Sequence, residues 1–166
     1  MKLFSSQRQA AAFTLVENLF ATAIVGLCFI GLYSISTQAL YHVNSGREAV
    51  SAKQGLSDRF EQIRGCSWAQ VTNSSYLQTY VMNSSTSGEG RLGGVVETLT
   101  VNAYPAPYAT PITLVRTNGA TVVSSTNTNI ANSDLARVDI SLTWNAATGQ
   151  RVRTQTRSTI VACSSP

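Results

Sequence analysis

Histidine is almost missing from this chain. His42 is the only one, which removes the usual means of acid–base and metal chemistry near neutral pH. Charge is scarce as well: eight Asp and Glu stand against twelve Lys and Arg, and charged residues make up only 12% of the sequence. That share is low for a cytosolic globular protein and usual for one with an apolar anchor. Half of the net charge of +4 comes from Lys2 and Arg8, and the other basic residues are scattered without interleaved aromatics, so no nucleic-acid partner is expected. Asp134 and Asp139 do not make the alternating acidic loop of a calcium site, and neither a phosphate loop nor zinc-ligand spacing occurs. Cys66 has no histidine near it in sequence, and Ser and Thr are too numerous for one to stand out. The chain therefore offers no catalytic residues, no metal ligands and no cofactor site, and it is expected not to be an enzyme.

What the sequence has in quantity is apolar surface, 43% of its residues. From Asn18 to Tyr41 no residue is charged, and as a helix this run would cover about 35 Å against a hydrocarbon core of roughly 30 Å. A secretory signal peptide is the alternative, with Lys2 and Arg8 as its basic end and Thr37-Gln38-Ala39 as a loose cleavage site. Glu17 argues against it. A carboxylate near the mouth of an apolar run weakens insertion, by up to ~3 kcal/mol at the bilayer centre and less near the surface, so it points to a function. Lys2 and Arg8 on one flank are matched by Arg47 and Lys53 on the other, which leaves orientation by charge undecided.

The run Phe13-Thr14-Leu15-Val16-Glu17, preceded by a short basic segment and followed by about twenty apolar residues, resembles the N-terminus of type IV prepilins, precursors of pilins and pseudopilins. The resemblance implies a leader over 1–12, cut between Ala12 and Phe13 by a prepilin peptidase that also N-methylates Phe13. Ala12 stands where that family usually has glycine. The resemblance also implies an assembly role for Glu17, whose carboxylate would receive the terminal amine of a neighbouring subunit. Phe13 and Glu17 are one helical turn apart, so a pairing within one chain stays open as well. Other pilin subunits, the inner-membrane assembly machinery and membrane lipid are the implied partners. The implied location is the inner membrane, with the C-terminal part periplasmic, and then a pilus or pseudopilus.

Beyond the apolar run, Ala49, Ala52, Leu56, Phe60 and Ile63 recur at spacings of three and four and predict an amphipathic continuation up to Gly65. One helix from about Thr14 to Arg64 is expected, the alternative being two helices hinged at Asn44-Ser45-Gly46. From Ser67 to about Gly94, Ser, Asn, Thr and Gly dominate and a loop is expected, with sequons at Asn73 and Asn83 that receive no role. Val95, Glu97, Leu99 and Val101 begin an alternating run, and Ile112 to Arg116 offers another after the loop holding Pro105, Pro107 and Pro111. In "RVDISLTW", Val138, Ile140, Leu142 and Trp144 face one way, and a turn over 145–149 leads into an exposed strand, "RVRTQTRSTIV". The apolar face of this hairpin is the natural cover for Leu56, Phe60 and Ile63. A similar Trp-turn-Gly-Arg hairpin ends many minor pilins.

The expected fold is thus α+β: a long N-terminal helix, half membrane-spanning and half amphipathic, packed on a small C-terminal antiparallel sheet. Its segments are 1–12, 13–42, 43–65 and an exported β-rich domain over 66–166. An exported domain permits a disulfide, and Cys66 and Cys163 flank the helix end and the last strand. Closing that loop would contribute roughly 4.7 kcal/mol on loop-entropy grounds. Cys28 is expected unpaired. Two other functions stay open beside a minor pilin: a pseudopilin of a type II secretion system, and a single-pass membrane protein displaying a binding domain.

Overall fold

A computed structural model describes the backbone over 4–147 and 151–163, and the side chains over 15–147 and 151–163. The chain divides into two compact units, 1–43 and 44–166. Helix α1 (Phe4–Arg64) supplies the described structure of the first unit and the opening element of the second. It begins ten residues before the expected Thr14, since nothing from Phe4 to Phe13 is a helix breaker, and it ends at Arg64 as the glycine that follows predicts.

In the second unit α1 is followed by α2 (Trp68–Val71), α3 (Ser74–Tyr76), a wide π turn (Leu77–Val81) and a 3-10 turn (Glu89–Arg91). The Ser- and Asn-rich stretch is thus less open than its composition suggests. Its polar residues cap helix starts: Asn73 Oδ1 accepts from the amides of Ser75 and Tyr76, while Val71, Leu77, Val81 and Met82 are buried.

The sheet contains β1 (Gly93–Ala103), β2 (Ile112–Thr117), β3 (Ala120–Ser125), β4 (Leu135–Asn145) and β5 (Val152–Ala162). All pairings are antiparallel, in the order β3-β2-β1-β4-β5. Strand β3 was not expected, though its signal is plain. Asn118 and Gly119 both have positive φ, 51° and 82°, and they join Thr117 to its partner Ala120 in the two-residue turn that Asn-Gly favours.

The predicted inward residues of β4, Val138, Ile140, Leu142 and Trp144, are all buried, and they share one core with Leu56, Phe60 and Ile63 of α1. Ala49 is exposed, so the helix stripe begins at Ala52. Glu48 takes the inward place one residue earlier and accepts from Trp144 Nε1 (3.3 Å) and the Ala147 amide (2.9 Å), fixing the end of β4 to the helix.

A loop from Met82 to Leu92 lies against α1 at van der Waals limits. A Cβ on Gly88 would stand 1.8 Å from the Ser51 carbonyl oxygen, and one on Gly55 would stand 2.7 Å from Thr86 Oγ1. Asp58 secures the loop by accepting from the Ser87 hydroxyl and from the Ser87 amide at 3.0 Å. These bonds, the hydroxyl's first, hold the Asp58 carboxyl below its usual pKa. A lowered folded-state pKa stabilises above the unfolded value of about 3.9, and the contribution disappears as pH falls through the folded value. Because Asp58 is half-exposed, Asp58→Asn is expected to cost under ~1 kcal/mol at pH 7. The melting temperatures of the two proteins should draw together as pH falls below about 3.9. A gap that persists there would show that Asp58 acts other than through its charge.

Cys66 and Cys163 are not joined. The Cys66 thiol points back at the last turn of α1 and donates to the Gln62 carbonyl at 3.2 Å, and its burial raises the thiol pKa. Cys163 continues the β4–β5 edge, its amide donating to the Asp134 carbonyl at 2.7 Å, with its side chain exposed. Cys28 is a free thiol on the exposed helix.

Candidate functional site

Over its described side chains, the helix of the first unit has no covered side. From Leu15 to Val43 every residue is exposed except Thr37, which is half-buried, and Leu15, Leu19, Phe20, Ile24, Phe29 and Ile30 each show more than half of their surface. Among the described residues this is the one helix long and apolar enough to cross a membrane, judged by length and composition.

Three of its hydroxyls bond back to the helix's own carbonyls. Thr22 Oγ1 donates to the carbonyls of Asn18 (2.9 Å) and Leu19 (3.0 Å), Ser36 Oγ to that of Leu32 (2.8 Å), and Thr37 Oγ1 to that of Ser34 (2.8 Å). Such back-bonding hides polar atoms where no water is at hand, so these residues do not spoil the run for an apolar medium.

Glu17 differs. It is the only Asp, Glu, Lys or Arg between Leu15 and Val43, its side chain is exposed, and among the described residues no hydrogen bond or ion pair reaches it. Within a helix the backbone can satisfy a hydroxyl but not a carboxylate, which accepts and cannot donate. Glu17 therefore calls for a cationic partner from elsewhere once its surroundings are apolar. Ala12 and Phe13, the expected cleavage bond, lie within the span of α1, but their side chains lie outside the described residues. His42 is exposed.

A second polar constellation, buried in the other unit, was not anticipated. Arg59, fully buried on α1, donates through Nε to Glu97 Oε1 (2.7 Å) and through Nη2 to Glu97 Oε2 (2.9 Å) and the Ser84 carbonyl (2.9 Å). Its Nη1 donates to Gln62 Oε1 (2.7 Å) and to the Val81 carbonyl, so all five donors of the fork are used. Arg116 on β2 reaches Glu97 Oε2 at 3.0 and 2.7 Å and also pairs with Glu89. Burial pulls the Arg116 pKa down, but the hydrogen bonds and charges of Glu97 and Glu89 outweigh it and hold the guanidinium above its usual value. Two cations thus meet two anions in a largely buried cluster. Such a group suits tying a helix, two strands and a loop together, not proton transfer.

The signal for this cluster lay in phase, not in motif. Glu97 alternates with the buried Leu99 and Val101, and Arg59 stands three residues after Leu56 and four before Ile63, on the inward face. Among the described residues no group of three His, Cys, Asp or Glu side chains is placed to hold a metal ion. Comparison of the chain with protein-family models, with characterised proteins and with solved structures gives no match.

Proposed function

We propose that the chain is a pilin-like structural subunit, anchored by its apolar helix in a membrane and then assembled through that helix into a filament. The observation that carries this reading is Glu17: one unpartnered carboxylate on an otherwise apolar, fully presented helix, directly after the Phe-Thr-Leu-Val that resembles a prepilin cleavage site. On this reading cleavage before Phe13 frees an ammonium, and the Glu17 of a neighbouring subunit receives it as the helices exchange lipid for one another. A paired charge is tolerated in an apolar core, whereas either partner left alone costs several kcal/mol. The sheet unit would then stand outside the membrane and on the filament's surface. A prepilin peptidase, the assembly machinery and sister subunits would be its partners, in a type IV pilus or a secretion pseudopilus.

The test compares wild type with Glu17→Ala in the native host. Both should fractionate with membranes in equal amount, while the variant should fall about tenfold or more in sheared fibres, as expected when a buried ion pair loses one member. N-terminal sequencing of fibre-borne protein should begin at Phe13. Undiminished assembly of the variant would remove the role given to Glu17. An intact Met1 in every fraction, with no fibre-borne protein, would instead support a single-pass protein displaying its sheet unit.

A further inference from the structure

The end of the second unit at which the chain arrives from the apolar run carries several arginines, two of which packing does not use. Arg47 lies on α1 and Arg91 ends the 3-10 turn before β1. Both side chains are exposed, and among the described residues neither guanidinium takes a hydrogen bond or ion pair. Two hollows, about 570 and 440 Å3 in volume, have both arginines in their walls. Arg153, which donates to Ser45 Oγ, and Arg151, whose carbonyl receives the Ala146 amide, add two cations at the same end. The one acid lining these hollows is Glu48, and its carboxylate is already engaged by Trp144 and Ala147. Nearby Glu89 is paired with Arg116.

Depth along the chain gives this collar its meaning. Arg47 comes four residues after Val43, about 6 Å at helical rise, and the headgroup layer extends roughly 5–7 Å beyond the hydrocarbon on each side. Arginine presents a planar fork that matches a phosphate with two parallel hydrogen bonds. Two such forks beside open hollows provide room for the charged part of a lipid.

We propose that Arg47 and Arg91 form a binding site for the phosphate of anionic phospholipid headgroups at the surface of the bilayer that the apolar run enters. The inference rests on the membrane reading of residues 15–43. It adds that the collar holds the sheet unit against the headgroups until assembly withdraws the helix. Each arginine near an anionic surface should strengthen this hold roughly fivefold, and salt should weaken it.

The test uses full-length chain in nanodiscs of phosphatidylcholine alone, or of phosphatidylcholine and phosphatidylglycerol in about a 2:1 ratio, read by amide hydrogen exchange. In the anionic discs, amides over 87–93 should exchange about fivefold more slowly, and the slowing should vanish in Arg47→Gln/Arg91→Gln and in half-molar salt, as a surface-charge interaction requires. The double variant should melt with wild type, because neither side chain is packed. Incorporation with equal exchange in both discs overturns the inference alone. Failure to incorporate overturns the membrane reading and the inference with it. Equal protection in zwitterionic discs by added glycerol phosphate would assign the site to a free phosphate ester and overturn the lipid assignment.

Discussion

Replacing Glu97 by Gln is expected to cost the second unit about 3–5 kcal/mol, as breaking a buried ion pair does, a large part of the 5–15 kcal/mol that holds a typical domain together. The size follows from what is left behind. Arg59 is wholly buried and Arg116 nearly so, and with Glu97 neutral two guanidiniums would share the single carboxylate of Glu89, which reaches only Arg116. Arg59 would keep its bonds to Gln62, Val81 and Ser84 but lose its counter-charge. Denaturant unfolding of the full chain in detergent, followed by the emission of Trp68 and Trp144, measures the loss. A double-mutant cycle of Glu97→Gln with Arg59→Met separates the pair from the whole, and a coupling of at least about 2 kcal/mol is expected for groups in one buried network. A coupling near zero would mean that water already screens the cluster. Replacing Arg59, Glu97, Arg116 and Glu89 together by apolar side chains of similar volume should restore much of the stability, since desolvation of such clusters consumes most of their Coulomb gain.

Gly88→Ala should cost about 2–3 kcal/mol by a different route, overpacking. The φ of Gly88 is −86°, which any residue can adopt, so backbone strain has no part in the effect. The added methyl would lie 1.8 Å from the Ser51 oxygen, 2.7 Å from the Ser51 carbonyl carbon and 3.2 Å from the Gly55 nitrogen, all of them helix backbone that cannot rotate aside. The loop must lift, and Asp58, Arg59 and Arg116 lose part of their hold on it. Two glycines nearby serve as internal controls. Gly90→Ala meets nothing within 4 Å and should leave the melting temperature unchanged within about a degree. Gly55→Ala crowds the Thr86 hydroxyl at 2.7 Å and touches Thr86 Cβ (3.6 Å) and Leu142 Cδ1 (3.7 Å) at ordinary contact distance, and its gain of about 1 kcal/mol in helix propensity should offset much of that crowding. If all three variants melted alike, the close approach of loop to helix would be wrong.

Much of this architecture was readable where a single physical cause acts alone. The end of α1 follows from Gly65, and the inward face of β4 from strict alternation, because a half-buried strand has no other way to sort its side chains. Reading failed where two causes compete. Between Ser67 and Gly94 a polar composition masks helix caps, and the buried spacing of Leu77, Val81 and Met82 is too short to stand out as a period. Glu97 and Arg59 sit in phase with apolar neighbours yet carry charge, so pattern and chemistry disagree until both are seen to share one cluster. Ala49 fits the stripe by spacing, but Glu48 is held inward by Trp144, and small Ala49 has too little surface to compete. In the candidate site the sequence already isolates Glu17, whereas the Arg47 and Arg91 collar needs the fold, because 43 residues separate its two members and no motif links them.

Strand β5 closes one side of the sheet, and its outer backbone edge is free among the described residues. An open edge invites another chain to add a strand, the first step toward amyloid-like stacking. Here Arg153 turns inward to Ser45 and Arg157 inward over the Phe60 ring, 5.0 Å from its centre. An incoming strand would have to seal both of these cations beneath a widened sheet. Crowded copies can then be brought side by side, as a filament of the kind proposed above would demand, while their sheets resist fusing.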